Sequence, residues 1–472
     1  MMNYFSHILK RQFRLFAMAT VVLFLGLSVT SCNDDDDDKK GPSQNIVALA
    51  QGNSNLSTLV QALTKYPDLV SALSGSGKFT VFAPTNAAFT SLLSTIGQTS
   101  LDDIPEDVLK TILQYHVIGG QSVKSTQLTN GPVETLSTED ITVSVSNGVK
   151  LNSTVNVVTA DVEATNGVVH VVDAVLVPPS IARFVNTVVE PAYFNKNFST
   201  LIAAVKQASP AILETLLNSS EKTLFAPTNA AFTAAGITSL PDRATLDAVL
   251  SYHVIGSKVN SSAIASGSSS ATTLNGKIYL SKISSGLFIN GNSKVTTADI
   301  AASNGVVHVI DRTLIPPSQT IAGIVSAYAG ASSNKQFTQL LAALARTEGQ
   351  GDDDLLAAVS ASASNLTVFA PTDAAFNELY AALDVNGIND IPLSTLIAVL
   401  KQHVVVGRVF STDLVSGSVA TLNGNVTVNL SDNPPTVTGS SSADNKAKLQ
   451  TSLLNIHATN GVIHVIDKVL IP

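Results

Sequence analysis

Eight histidines occur in the 472 residues, and six of them fall on two recurring positions. His116, His253 and His403 close helix-like runs; His170, His308 and His464 sit inside "VVHVV"-type runs. Imidazole can move protons near neutrality and is a common metal ligand. A catalytic zinc site needs three protein ligands and a structural one needs four. The recurring acids nearest the second position are Asp173, Asp311 and Asp467. Strand alternation turns Asp173 to the face opposite His170. Asp161 and Asp299 also recur, but the third copy has Asn455 there. The ligand count falls short. The histidines read as partly buried hydrogen-bonding residues that tie a helix end to a strand, with no metal and no cofactor.

Other chemistry is missing from the pattern. "SGSGKFT" at 74–80 resembles a phosphate loop but lacks the first glycine and has Phe79 after Lys78. Neither a G-x-S-x-G elbow nor C-x-x-C nor H-E-x-x-H occurs. "GQGDDDLL" at 349–356 lacks the spaced ligands of a calcium loop and fits a helix start favoured by the dipole. The expectation is a protein that binds and is not an enzyme.

Composition agrees. Hydrophobic residues make up 45% and aromatic residues 5%, with no Trp, so stacking platforms for bases are scarce. Net charge is −8. Residues 1–31 carry three of the 27 basic side chains and none of the 35 acidic ones; 24 remain against 35, a net of −11. That excludes a basic nucleic-acid surface.

The elements that would position these side chains come in three copies. "TVFAPTNAAF" at 80–89 returns as "TLFAPTNAAF" at 223–232 and "TVFAPTDAAF" at 367–376. "NGVVHVVD" at 166–173 returns at 304–311 with Ile for Val at one position and at 460–467 with Ile for Val at two. A period this long makes each copy a domain with its own core rather than a solenoid turn. Leu56, Leu59, Val60 and Leu63 share a helix face, and "PEDVLKTILQYHVI" reads as a second helix stopped at Gly119. Alternating Ile141, Val143 and Val145 before Asn-Gly read as a strand and hairpin. Helices first and strands after give an α+β unit. In the first anchor Pro84 ends a strand, Thr85 and Asn86 supply a helix cap, with Asn86 favoured, and Phe89 enters the core. The second copy has 26 residues from Pro227 to His253 against 32 in the others, so its helix should be shorter. Short Pro-Pro linkers suggest beads held at limited angles.

The N-terminus carries address information. Lys10, Arg11 and Arg14 precede an apolar run of 16 residues (15–30) that ends in small residues before Cys32, the only cysteine. The run is short for a membrane span and suits a signal peptide. "VTSC" resembles a bacterial lipobox, which implies lipidation of Cys32 and an anchored protein; an ordinary signal peptide is the alternative. "NDDDDDKKGPSQ" has no apolar residue and reads as a disordered tether. It resembles the surface-export signal of Bacteroidetes lipoproteins, which implies the outer face of the outer membrane, with a periplasmic spacer as the alternative. The expected organisation is a signal peptide (1–31), a tether (32–43) and three domains (44–179, 180–317, 318–472).

Taken together, "TVFAPTNAAF", a Tyr-His helix end and "NGVVHVVD" before "VLVPP" resemble the fasciclin domain family in all three copies, nearly everything from 44 to 472. The resemblance implies a β-sandwich or wedge with helices packed around it. It also implies non-enzymatic adhesion through an extracellular or cell-surface protein or glycan, with carbohydrate capture as the alternative. Fasciclin-like domains link a Tyr-His stretch and an Asp-Ile pair to cell adhesion. The matching residues are Tyr115, His116, Asp161 and Val162 in copy one, and Tyr252, His253, Asp299 and Ile300 in copy two. Copy three departs at both places, with Gln402-His403 and Asn455-Ile456, and is expected to bind most weakly.

Overall fold

The computed structural model describes residues 41–441 and 445–472. The expectations for the signal peptide, Cys32 and most of the tether fall outside them.

The two sequence anchors are neighbouring strands. "TVFAP" forms Phe79–Pro84, Lys222–Pro227 and Leu366–Pro371. Each pairs in parallel with the closing anchor: Gly167–Val172, Gly305–Ile310 and Gly461–Ile466. Phe82 lies opposite His170 and Pro84 opposite Val172. The closing strands are buried along their whole length, which is why they are unbroken apolar runs around one histidine. Their first residue must be glycine. A Cβ on Gly167 would stand 2.1 Å from the Phe79 carbonyl oxygen, and one on Gly461 2.1 Å from that of Leu366.

Around this pair copy one builds a seven-stranded sheet. Val117–Gly119 flanks one side. On the other side follow Val155–Ala164, Lys150–Leu151, Asp140–Ser144 and Gly131–Glu134, all antiparallel. Copy two repeats the order with seven strands. Its long strand Ser293–Ala302, like Val155–Ala164, has two register shifts against the closing strand. In copy three this strand is cut by a 3-10 turn, Thr451–Leu453, into Lys446–Lys448 and Ile456–Ala458. Two four-stranded sheets result.

Each sheet separates two cores. Helices cover one face, as with Ser57–Thr64, Pro67–Ser74, Asn86–Thr95 and Glu106–Tyr115 in copy one. The strands fold over the other face and enclose Phe82, Tyr115, Ile141, Val143, Leu151 and Val172. Each large apolar side chain buried in this way contributes about 1.5–3 kcal/mol. These mixed helix-and-sheet units are the α+β architecture expected.

Three local expectations are corrected. The helix cap is Thr85, not Asn86: the Thr85 hydroxyl accepts the Ala88 N–H at 3.2 Å, and Thr228 and Thr372 do the same. Asn86 reaches back instead to Thr58, Ser54 and Ser57, so it ties this helix to the preceding one. Gly119 does not stop the Tyr-His helix; His116 is its C-cap, and the chain passes directly into Val117–Gly119. Finally, the copies are not all separate beads. One hydrophobic cluster runs continuously from Ile46 in copy one to Val309 in copy two, joined through Ile181, Phe184, Tyr193 and Phe194. The segment after the Pro pair is too apolar to stay a solvated linker. The copy-two helix is indeed short, Asn229–Ala234, with 6 residues against 10 and 11.

Candidate functional site

The Tyr-His pairs are interior. Tyr115 is 0% exposed and Tyr252 1%. The Tyr115 hydroxyl donates to the Asp140 carbonyl at 2.7 Å and accepts from Asn152 Nδ2 at 3.0 Å. Tyr252 does the same with Lys277 and Asn290. In copy three Gln402 Nε2 donates to the Asn425 carbonyl at 2.7 Å, so the carboxamide replaces the phenol as the donor under the sheet.

His116 Nε2 accepts the Leu176 N–H at 2.9 Å, which leaves Nδ1 as the protonated nitrogen, donating to the Ile112 carbonyl at 2.7 Å. His253 and His403 have the same partners in their own copies. At the second position the tautomer is reversed. His170 Nδ1 accepts the Asp161 N–H at 3.3 Å, so Nε2 donates to the Val123 carbonyl at 3.0 Å. His308 and His464 match it. Each ring thus uses both nitrogens, the first set joining helix end to closing segment and the second joining closing strand to the 116–125 connection. They are wholly rather than partly buried, and both partners of each ring are backbone groups, so no ring nitrogen is left unpaired. Burial lowers His116, His253, His403 and His464 to about 4, so all four are neutral at pH 7. No lone pair is left for a metal, and no three metal-ligating side chains converge among the described residues.

The Asp-hydrophobic pairs are the part of the candidate set at the surface. Asp161 and Asp299 adopt left-handed backbone, φ 60° and 61°, within the second register shift of the long strand. Asp161 Oδ1 accepts the Ser125 N–H at 2.6 Å and Oδ2 the Ser125 hydroxyl at 2.5 Å; the hydroxyl lowers the carboxyl's pKa. Asp299 is held by Ser261 in the same way; burial pushes its pKa up, but the Ser261 hydroxyl and amide outweigh it. Asp161 keeps about a third of its side chain exposed, 33%, and Asp299 is exposed. Val162 and Ile300 pack, half-buried, on the helix-side core. The fold therefore separates the candidates: Tyr115, His116, Tyr252 and His253 shape the interior, while Asp161 and Asp299 face solvent.

Two recurring polar residues escaped the sequence reading. Asn166 is 5% exposed; its Nδ2 donates to Leu73 and Gly75 carbonyls and its Oδ1 accepts the Ile46 N–H. Asn304 and Asn460 repeat these bonds. The Thr80 hydroxyl donates to the Gln121 carbonyl and accepts the Val123 N–H. Their exact return in all three copies was the available signal.

Copy three departs at the surface. Asn455 is 4% exposed because copy two covers it. Beside this contact lies a cleft of about 340 Å³, bordered by Asn290, Asn292, Arg312, Gln319, Asn455 and His457.

A family description, fasciclin domain, matches residues 54–178, 196–316 and 335–472. Among curated proteins, protein sll1483 of Synechocystis is 47% identical over 135 residues, 28% of this chain and 73% of that one. Periostin of Homo sapiens is 28% identical over 371 residues, 77% of this chain and 40% of that one. Cell surface glycolipoprotein MPB83 of Mycobacterium bovis is 40% identical over 146 residues, 30% of this chain and 64% of that one. The chain spans less than half the length of periostin. A solved domain pair of the insect cell adhesion molecule fasciclin I is matched at TM-score 0.29 and 19% identity, over 58% of this chain and 97% of that one.

Proposed function

Since the chain belongs to the fasciclin domain family, we propose that it is a surface-anchored adhesion protein, not an enzyme, that holds a protein or matrix ligand. Three domains with the boundaries 44–179, 180–317 and 318–472 would carry it, on a lipid attached at Cys32 and a short acidic tether. The name of the mycobacterial relative, a cell surface glycolipoprotein, supports that placement. Among the described residues no helix is long and apolar enough to cross a membrane.

The observation that carries the reading is the twofold presentation of Asp161 and Asp299. Each carboxylate is fixed on a bulged strand by a serine turn and still faces water. A fixed, charged, solvent-facing acceptor beside a half-buried apolar side chain suits contact with another macromolecule. The Tyr-His pairs would act only by holding the sheet beneath. The test is adhesion of whole cells to matrix proteins with Asp161→Asn and Asp299→Asn together, in protein whose folding is verified. Loss of adhesion is expected, and adhesion equal to the parent overturns the site. Protease added to intact cells should clip the protein if it is surface-exposed.

A second reading is capture of a carbohydrate or matrix polymer, favoured by the cleft beside Asn455 with its carboxamides and Arg312. A glycan array read against the adhesion assay separates the two.

A further inference from the structure

Copy two and copy three meet through a turn of one seated on the other. The turn is Asn290-Gly291-Asn292, between the strands Gly286–Ile289 and Ser293–Ala302. Asn455 lies under it. Its Oδ1 accepts the Ser411 N–H at 2.7 Å, which fixes the orientation of the carboxamide and points Nδ2 at copy two. Nδ2 then reaches the Gly291 carbonyl at 3.1 Å and Asn292 Oδ1 at 2.8 Å. Beside it, Phe410 and His457 pack on Tyr279 with ring centres 5.7 and 5.8 Å away. Arg408, held by the carbonyls of Ala458 and Thr459, lies over the same ring at 4.5 Å.

Both halves of this contact are peculiar to the copies that make it. A Cβ at position 291 would stand 2.7 Å from the Phe410 Cβ and 2.8 Å from the Asn455 carboxamide. Copy one has the same turn, Asn152-Ser153-Thr154, with Asn152 and Asn290 bonded alike to Tyr115 and Tyr252. There the second residue is Ser153, and Thr142 stands where copy two has Tyr279. On the receiving side, an aspartate in place of Asn455 would set a carboxylate oxygen, with no proton to give, against two oxygens of the turn. Copies one and two have Asp161 and Asp299 at that place. Copy two also has Asn260 for Phe410 and Ala301 for His457.

We infer that Gly291 and Asn455 are a matched pair that decides which repeats dock: copy two onto copy three through this turn, and no other pair in the chain. The glycine admits the close approach, and the carboxamide supplies the donor that the turn's carbonyl needs. Ser153 and Asp299 bar the equivalent contact between copies one and two, which are joined instead through the helix-side core. The pair acts as a register device in a tandem repeat, where three domains of one fold could otherwise dock in several ways.

The test uses the full chain and hydrogen exchange followed by peptide. Gly291→Ser copies a residue that the same turn already accepts in copy one, with φ 66° at Ser153, so the turn should still form. It should speed exchange in peptides covering 279–293 and 405–415 by about tenfold or more, the consequence of leaving one buried polar group without its partner. Peptides covering 150–164 should not change. Asn455→Asp should do the same while the strand Leu366–Pro371 stays protected. Ser153→Gly in copy one should change nothing. Exchange in 279–293 and 405–415 that is unaltered by Gly291→Ser overturns the inference, whatever Asn455→Asp does to copy three. Slower exchange near Asp299 in Ser153→Gly also overturns it, because a single glycine would then suffice for docking.

Discussion

The two junctions between neighbouring copies are built on opposite principles. Copies one and two share apolar interior: Phe184 and Tyr193 stack at 4.0 Å within a cluster common to both, and polar contacts such as Ser180 with Glu139 and Lys196 N–H with the Asp103 carbonyl lie at its border. Copies two and three keep separate helix-side cores and touch through one turn, one carboxamide, three aromatic rings with Arg408 over one of them, and the Thr412 hydroxyl on that of Ser281 at 2.9 Å. The first junction is non-directional and grows with buried area. The second depends on single atoms, so one residue can make or forbid it. Domains of one fold can thus be fused once by solvent exclusion and once by specific hydrogen bonding.

The largest expected effect breaks the first junction. Phe194 is fully buried in the shared cluster, and Phe194→Ala should cost about 3–5 kcal/mol. Denaturant unfolding followed by exchange should show copies one and two losing protection together while copy three keeps its own midpoint. Separate loss in copy one alone would mean that the shared core is not cooperative.

Acid should act on every copy, and further on the second junction. His116, His253, His403 and His464 lie at about 4 in the fold against 6.5 ordinarily. Between those values the unfolded chain binds protons that the folded chain refuses, so stability falls as pH drops from about 6.5 to about 4. Thermal unfolding across that range should show the decline, and His116→Gln should reduce its slope after its own loss of stability is subtracted. His457 adds to the decline at the second junction, where burial first and the Arg408 charge second lower it to about 3.

A smaller effect sharpens the second junction. Arg408→Ala removes the guanidinium over Tyr279 and should cost about 1–2 kcal/mol, read as faster exchange in both faces of the contact. Smallest is Glu139→Ala, which frees Ser180 at an exposed border of the first junction and should cost about 1 kcal/mol or less by thermal unfolding.

Much of each copy was legible in the residues. The strand before Pro84, the entry of Phe89 into the core and the short helix of copy two follow from local chemistry that any copy repeats. The cap was misassigned because Thr85 and Asn86 are both good capping residues, and only backbone geometry showed which side chain turns inward. The candidate site was half legible. The family resemblance pointed to Tyr115, His116 and Asp161, but a tyrosine in a helix gives no sign of whether it faces water or the sheet.

What the sequence by itself determined is the repeated unit: three copies of one α+β domain, their order, and the turn and glycine chemistry that lets Gly167, Gly305 and Gly461 lie against a neighbouring strand. These rest on local conformation and on motifs that recur. Which surfaces remain free was decided only by the tertiary structure. Asn455 differs from Asp161 by one polar group, yet it is covered while Asp161 is open, because Gly291 and Tyr279, far away in the chain, come to rest against it.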